Sequence, residues 1–260
     1  MKISRLSLWL TLAIAILVII SSSAGLFIKS IYARETLSWM VQAYGQDIAN
    51  LVAAAALLSA VYFVSKGSVK AFLVWIGVLL SLLYPYVIYA FDIHFNSLFL
   101  VYVALVGLSF YTLVDGIIRL HLDKSYFAAN NRARVVSVFL MVVAVLFYFL
   151  WLSEDIPALL TGKMPQTVLE NGLLTNPVHV LDIGLYLPAM IITSILLWRR
   201  KLVGYILALP LLVFSIFTGT GILAMFLVMS SKGMTTSLGV ELFFAAIILV
   251  SLVLSVLYYG

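Results

Sequence analysis

Long apolar runs alternate with short polar stretches along the whole chain. Each run is about 20 residues long, the length that an α-helix needs to cross the hydrocarbon core of a bilayer. Open strands are excluded there, because they would leave backbone groups without hydrogen-bond partners in lipid. The pattern predicts eight membrane-spanning helices, at roughly 7–28, 46–65, 71–91, 97–118, 135–153, 179–198, 203–229 and 238–258.

The first run follows MKISR and ends in SSSAG, as the apolar segment of a signal peptide would. It is longer than such a segment usually is, so we predict a retained first helix. Hydrophobic residues make up 65% of the chain and charged residues 10%. Soluble domains average about 25% charged residues. The sequence therefore predicts an all-α, polytopic membrane bundle that forms one integral-membrane domain over residues 1–260.

The basic residues are unevenly divided between the two sides that eight spans define, with eleven on one side and four on the other. Because Lys and Arg are enriched in cytoplasmic loops, we predict a cell-membrane protein with both termini in the cytoplasm. The net charge of +5 then reflects topology and requires no nucleic-acid partner. The cytoplasmic set is Lys2, Arg5, Lys66, Lys70, Arg119, Lys124, Arg132, Arg134, Arg199, Arg200 and Lys201, and the outer set is Lys29, Arg34, Lys163 and Lys232.

The carboxylates have the opposite distribution, since only Asp115 and Asp123 fall on the cytoplasmic side. Arg119, one helical turn after Asp115, is expected to pair with it. A helix dipole favours negative charge at a helix N-terminus, which gives a structural explanation for acids at the outer start of a span. It does not explain the histidines beside them. The outer acids are Glu35, Asp47, Asp92, Glu154, Asp155, Glu170, Asp182 and Glu241.

The segment NPVHVLDIGLYLPAM, residues 176–190, places polar side chains at the start of the sixth span. His179, Asp182 and Tyr186 follow i, i+3, i+7 spacing, which predicts that they share one helix face. The segments DIHFN and SEDIP are predicted to lie at the same level. They add Asp92, His94, Glu154 and Asp155.

A shift of 135 residues (182 − 47) aligns two stretches of the chain, with Asp47 on Asp182 and Lys66 on Lys201. The order of acid, span and basic turn is the same in both, which predicts two tandem four-helix halves, about 1–125 and 126–260, as a parallel repeat. In such proteins, interruptions at matching places in the halves indicate a binding site. The interruptions predicted here are Pro85, among Tyr84, Tyr86 and Tyr89, and the pair Gly219 and Gly221.

The 176–215 segment, with NPVHVLDIGLYLPAM and LLWRRKLVGYILALPLLVFS, resembles a family of multi-pass prokaryotic membrane proteins of uncharacterised function. YGQDIANL and FDIHFNSLFLVYVALVGLS resemble the same family. The resemblance implies a multi-pass membrane fold over most of the chain. It implies no activity, ligand or functional residue.

The composition limits the cofactors. The chain has no cysteine, which excludes disulfides, iron–sulfur clusters and thiolate metal sites. The last two spans contain no lysine, so a retinal Schiff base is excluded there. Because there are histidines on the outer side, a divalent metal and a haem both remain candidate cofactors.

Three functions remain open. The first is an outward-facing polar cavity that binds or transports a small molecule, an ion or a lipid head group. The second is an intramembrane metalloenzyme with His94, His179, Asp47 and Asp182 as metal ligands and Glu154 or Asp155 as general base. The third is an assembly partner within the bilayer that packs small residues such as AAAA, residues 53–56, against other helices. The predicted ligand-binding residues are Asp47, Tyr84, Tyr86, Tyr89, Asp92, His94, Glu154, Asp155, His179, Asp182, Tyr186 and Glu241.

Overall fold

The computed structural model describes residues 3–120, 122 and 132–259. These residues form helices and no strand. Eight spans are long and apolar enough to cross a membrane, which confirms the predicted number and the all-helical class. The predicted boundary between the halves, at residues 125–126, lies outside the described residues, as do Lys2, Asp123 and Lys124.

The helices largely follow the predicted spans. The elements are α1 (Arg5–Phe27), α2 (Leu37–Ser65), α3 (Val69–Asp92), α4 (Phe99–Ile118), α5 (Arg132–Thr161), α6 (Gln166–Asn171), α7 (Pro177–Leu181), a π-helical turn (Asp182–Tyr186), α8 (Leu187–Trp198), α9 (Leu202–Ser231) and α10 (Leu238–Tyr259). The segments from Pro177 to Trp198 form one continuous span.

Side-chain caps set where several helices begin. The Ser4 hydroxyl accepts from the Ser7 N–H, and the Thr36 hydroxyl accepts from the Trp39 N–H. These are N-cap hydrogen bonds that satisfy backbone donors of the first turn. Because Thr36 supplies the cap, α2 begins nine residues before the predicted start at residue 46. Gln42 and Gln46 lower the hydropathy of that stretch, so the apolar pattern predicted a later start.

Contacts between Cα atoms divide the chain into two compact units. Unit 1 comprises Met1–His121 and Leu209–Tyr259, and unit 2 comprises Leu122–Ala208. Unit 1 therefore contains α1 to α4, the larger part of α9, and α10. Unit 2 contains α5 to α8 and the first residues of α9.

In unit 1, helices α1 to α4 pack in a ring, each against the next and α4 against α1. Where α1 begins and α4 ends, Asp115 accepts from the Ser4 hydroxyl at 3.0 Å, from the Ser7 hydroxyl, and from Arg119 Nε at 2.8 Å. The predicted Asp115–Arg119 pair is confirmed. Between the helices, the fully buried Trp75 donates its indole N–H to the Thr11 hydroxyl at 3.1 Å.

The predicted interruptions do not break their helices. Pro85 lies inside the continuous α3, and Gly219 and Gly221 lie inside the continuous α9. The glycines allow close packing instead, because a Cβ on Gly219 would lie 2.7 Å from Ile248 Cγ1 and one on Gly221 would lie 2.8 Å from Gln46 Oε1. The interpretation of these glycines as breaks was wrong.

In unit 2, α5 packs against α8. Ser137 and Ser194 face each other, with their hydroxyls 3.1 Å apart, and each hydroxyl donates to the other residue's carbonyl at 2.8 Å. Because both side chains are small and bonded to each other, the two helices approach closely at this point.

Candidate functional site

The most deeply buried carboxylate in the described residues is Asp47, on α2 in unit 1, which is 1% exposed. The Tyr32 hydroxyl donates to Asp47 Oδ2 at 2.7 Å, and the Tyr89 hydroxyl lies 3.4 Å from Oδ1. Tyr89 also donates to the Ala43 carbonyl at 3.0 Å. Ser22 lies beside this group, with its hydroxyl oxygen 3.3 Å from that of Tyr86. The described partners of Asp47 are therefore neutral hydroxyl groups.

The position of Asp47 differs from the prediction. It was expected at the start of the second span, where the helix dipole would stabilise it. In the structure α2 begins at Leu37, ten residues earlier. Asp47 therefore lies about 15 Å along the helix axis, at ~1.5 Å per residue, and the dipole effect is limited to the first turn. The capping explanation is wrong for this residue.

Tyrosines from three segments surround this carboxylate. Tyr86 lies 2.9 Å from the Ser21 hydroxyl, and its ring meets that of Tyr89 edge-on with centroids 5.7 Å apart. The Tyr89 and Tyr102 rings are 5.3 Å apart. The Tyr102 hydroxyl is buried near Tyr32 and Asn96 without a well-formed hydrogen bond. We call this set the Asp47 cluster: Ser21, Ser22, Tyr32, Asp47, Tyr86, Tyr89 and Tyr102.

Gly25 on α1 makes room for the carboxylate. A Cβ at this position would overlap Asp47 Oδ2 and would lie 2.7 Å from the Tyr32 hydroxyl oxygen. The carboxylate thus occupies space that any other residue at position 25 would fill. All four helices of the ring, and the loop that carries Tyr32, contribute to one packed polar centre.

The loop segment DIHFN contributes a separate pair in unit 1. His94 donates its backbone N–H to Glu35 Oε1 at 2.8 Å, and its Nδ1 lies 3.0 Å from Glu35 Oε2. Asp92 Oδ2 is buried without a hydrogen-bond partner. Tyr84 packs edge-on against Phe214, with centroids 5.6 Å apart. Of the predicted tyrosines, Tyr86 and Tyr89 contribute to the Asp47 cluster and Tyr84 packs outside it.

His179 and Asp182 lie in unit 2, and each pairs with α5. His179 Nδ1 is 2.9 Å from Asp155 Oδ1. The Trp151 indole N–H donates to Asp182 Oδ2 at 2.9 Å, and the Trp151 and His179 rings are 4.4 Å apart at 33°. We call these four residues the His179 ladder: Trp151, Asp155, His179 and Asp182.

The imidazole of the ladder has one free nitrogen. His179 is 4% exposed, and its Nε2 is buried without a hydrogen-bond partner. Since the Asp155 carboxylate can only accept, His179 Nδ1 is the donor of this hydrogen bond. Asp155 therefore acts here as the acceptor that orients His179. The predicted face with Asp182 and Tyr186 is buried throughout, while Val180 and Leu185 are exposed.

Pro188 leaves one carbonyl of the π-helical turn without a backbone donor. The Leu187 N–H bonds the Asp182 carbonyl, five residues earlier. The π-helical partner of the Ile183 carbonyl would be Pro188, which has no N–H. The Tyr148 hydroxyl donates to this carbonyl at 3.0 Å. Tyr148 thus replaces the missing backbone donor.

Replacing Tyr148 by phenylalanine is expected to lower the free energy of unfolding by about 1–3 kcal/mol, the usual cost of leaving a buried acceptor unsatisfied. Chemical denaturation in detergent micelles, followed by circular dichroism, measures this change. Tyr111→Phe is the matched control, because Tyr111 is 68% exposed. Equal stability of the two variants would contradict the role assigned to Tyr148.

The remaining predicted residues are placed as follows. Glu154 Oε1 accepts from the Thr167 N–H at 3.0 Å and from the Thr167 hydroxyl at 2.7 Å, which attaches α6 to α5. Glu241 lies in the first turn of α10, partly exposed, where the helix dipole stabilises a carboxylate. Both positions have a structural explanation.

The predicted metal ligands are not grouped. Asp47 and His94 belong to unit 1, and His179 and Asp182 belong to unit 2. Within the part of the chain that the structure describes, no three His, Cys, Asp or Glu side chains are placed to hold a metal ion. The four residues therefore do not form a ligand set in this structure.

Comparisons with family models, curated proteins and solved structures found no match to this chain. The resemblance of the 176–215 segment to a prokaryotic membrane family therefore stays a prediction.

Several site residues were missed in the sequence. Trp151 and Tyr148 precede Asp155 by four and seven residues, so helical periodicity places all three on one face. The sequence therefore contains a signal for Trp151 and Tyr148. Tyr32 lies in the loop between α1 and α2, where no periodicity indicates its direction. Tyr102 is one aromatic among many in an apolar run.

Proposed function

We propose that this protein binds a small cation within the membrane and carries it across, with Asp47 as the charged group that holds it. The observation that supports the proposal is the burial of Asp47 among hydroxyl groups. In residues 3–120, 122 and 132–259, the ion pairs involve Glu35, Asp115 and Asp155, and none involves Asp47.

The energetics favour an external counter-charge. A carboxylate inside a bilayer costs about 3 kcal/mol even by insertion scales, and such residues usually pair or mark an ion pathway. Hydroxyl groups stabilise a carboxylate by hydrogen bonding but do not neutralise it. A proton, an alkali metal ion or a small ammonium group would neutralise it. The tyrosine rings add cation–π attraction for any of the larger cations.

The packing of the cluster favours a small ligand. Gly25, Tyr32 and Tyr89 lie directly against the carboxylate. A bulky solute would have to displace these side chains, whereas a proton or a monovalent ion would not. The Tyr102 hydroxyl, buried without a well-formed hydrogen bond, offers an additional oxygen.

The predicted topology gives the depth of the cluster in the bilayer. With both termini inside, as the basic residues predict, the cluster lies in the outer half of the bilayer and Asp115 lies at the inner end. The two tandem halves, as a parallel repeat, remain part of this proposal. An intramembrane metalloenzyme has less support, because no three His, Asp or Glu side chains among the residues that the structure describes are placed to hold a metal ion.

A thermal-shift titration tests the proposal. Purified protein is titrated with LiCl, NaCl, KCl or tetramethylammonium chloride at constant ionic strength, and separately with acid. One of these cations is expected to raise the melting temperature of the wild type by about 5 °C at ~100 times its Kd. Asp47→Asn should abolish this response. The same cation should then produce a current in proteoliposomes that contain the wild type.

The matched control is Asp115→Asn, which alters a carboxylate that already pairs with Arg119. It should retain the cation response of the wild type. If no cation distinguishes wild type from Asp47→Asn, the carboxylate holds no cation and the proposal is wrong. If the melting temperature responds but no current appears, the protein binds a cation without transporting it.

A further inference from the structure

A groove of about 410 Å³ runs along the surface of unit 2 between α5 and α8. Its floor contains Ser137 and Ser194, which are buried and satisfy each other's hydrogen bonds. Its walls are mostly apolar, so the groove offers few polar groups to a ligand along its length. The lining residues are Ser137, Val138, Met141, Val142, Ser194, Ile195, Trp198 and Arg199.

One end of the groove is strongly basic. Arg199 lines it, and the Arg134 guanidinium lies over the Trp198 ring at 5.6 Å from its centroid. Three more exposed cations belong to the same helix ends: Arg132, Arg200 and Lys201. Within residues 132–208, the nearest carboxylate along the span Pro177–Trp198 is Asp182, about 25 Å from Arg199 at ~1.5 Å per residue. This end of the unit therefore attracts anions.

The groove is about half as long as one leaflet of a bilayer is thick. Its lining on α5 runs from Ser137 to Val142, which corresponds to about 7.5 Å along the helix, and Arg134 lies three residues before it. Half the hydrocarbon core measures about 15 Å. A cationic end, followed by a short apolar channel, has the dimensions of a phospholipid head group with the upper part of its acyl chain.

We infer that the α5/α8 groove is a binding site for an anionic phospholipid of the bilayer. The phosphate lies between Arg134 and Arg199, and one acyl chain lies along Val138, Met141 and Val142. Trp198 contacts the glycerol region. A site of this kind, with basic residues between membrane helices on the predicted cytoplasmic side, suits lipids with a negative head group. The site is separate from the Asp47 cluster and does not depend on the proposed cation function.

A peptide is a poorer fit. The walls are formed by surfaces of two helices long and apolar enough to lie within the hydrocarbon, where lipid is the available partner. Free phosphate would use the arginines alone and would gain nothing from the apolar channel. A phospholipid and free phosphate are thus distinguished by whether the apolar channel contributes to binding.

Native mass spectrometry of the purified full chain with added lipid tests the site. Dioleoylphosphatidylglycerol is expected to bind several-fold more tightly than dioleoylphosphatidylcholine. Arg134→Gln and Arg199→Gln should each weaken phosphatidylglycerol binding by about fivefold, the effect of one basic side chain near an anionic surface. Val138→Trp should weaken it as well, because the indole fills the channel and leaves both arginines in place.

Lys163→Gln is the matched charge control, since Lys163 follows α5 at its other end, and it should bind both lipids as the wild type does. Each variant is first checked for helical content and a single size-exclusion peak, and Val142→Phe replaces Val138→Trp if the latter misfolds. Equal binding of the two lipids would overturn the inference, as would an unchanged affinity in both arginine variants. Displacement of the lipid by inorganic phosphate, with no effect of the channel variants, would also overturn it, because it would identify an anion site only.

Discussion

Replacing Gly45 by alanine is expected to lower the free energy of unfolding by about 3 kcal/mol, at the upper end of the usual cost of overpacking. Gly45 on α2 faces the backbone of α9 within unit 1. A Cβ would overlap the Met225 backbone and would lie 2.8 Å from the Ala224 carbonyl carbon. Backbone atoms cannot rotate away as a side chain can, so the two helices must separate. Thermal unfolding in detergent micelles measures the change.

Gly107→Ala is the matched control for this variant. Gly107 lies on α4, and no heavy atom would lie within 4 Å of an added Cβ. Alanine should stabilise this helix by about 0.5–1 kcal/mol, because glycine loses more backbone entropy on folding. If Gly45→Ala is as stable as Gly107→Ala, the close approach of α2 and α9 is not as the structure describes it.

Trp151→Ala is expected to destabilise the protein by about 3 kcal/mol, the cost of removing a large aromatic side chain. The substitution removes the ring that stacks on His179 and the N–H that donates to Asp182. Trp151→Phe keeps a ring beside the imidazole and loses only the donor. Trp151→Phe should therefore lower the free energy of unfolding by about 1–2 kcal/mol. Denaturant titration of the three proteins separates the two contributions.

Trp9→Ala provides the comparison, because Trp9 is 67% exposed on α1. The free energy of unfolding of this variant in micelles should differ from that of the wild type by less than about 0.5 kcal/mol, as for most surface substitutions. A cost for Trp151→Ala equal to that for Trp9→Ala would mean that the His179 ladder contributes no stability to unit 2.

The spans were predictable because the physics that defines them is local. An uninterrupted apolar run of about 20 residues has few alternatives to a membrane helix. The predicted helix boundaries were wrong where polar residues lie inside a helix. Gln42 and Gln46 lower the hydropathy of the first turns of α2, and Glu154 and Asp155 lower that of the last turns of α5, so neither stretch was predicted as helix.

The candidate site was predictable only in its residue types. Asp47, Tyr86 and Tyr89 were expected in a polar site, and the structure brings them together with Tyr32, which lies in a loop. His179 and Asp182 were expected to act together, and in the structure both contact Trp151 on α5, while Asp155 is a second partner of His179. Which side chains meet depends on the packing of separate helices, and helical periodicity does not contain that information.

The π-helical turn before α8 changes the direction, around the helix axis, in which the side chains before and after it point. Twelve residues separate Asp182 from Ser194 (194 − 182), so an unbroken α-helix would direct them about 120° apart around its axis. The π turn accommodates one extra residue, or about 100° of rotation, and reduces the angle to roughly 20°. A single helix can therefore present both Ser194 to Ser137 and Asp182 to Trp151. Without this angular correction, Asp182 would point about 120° away from the side of the helix that faces Ser137.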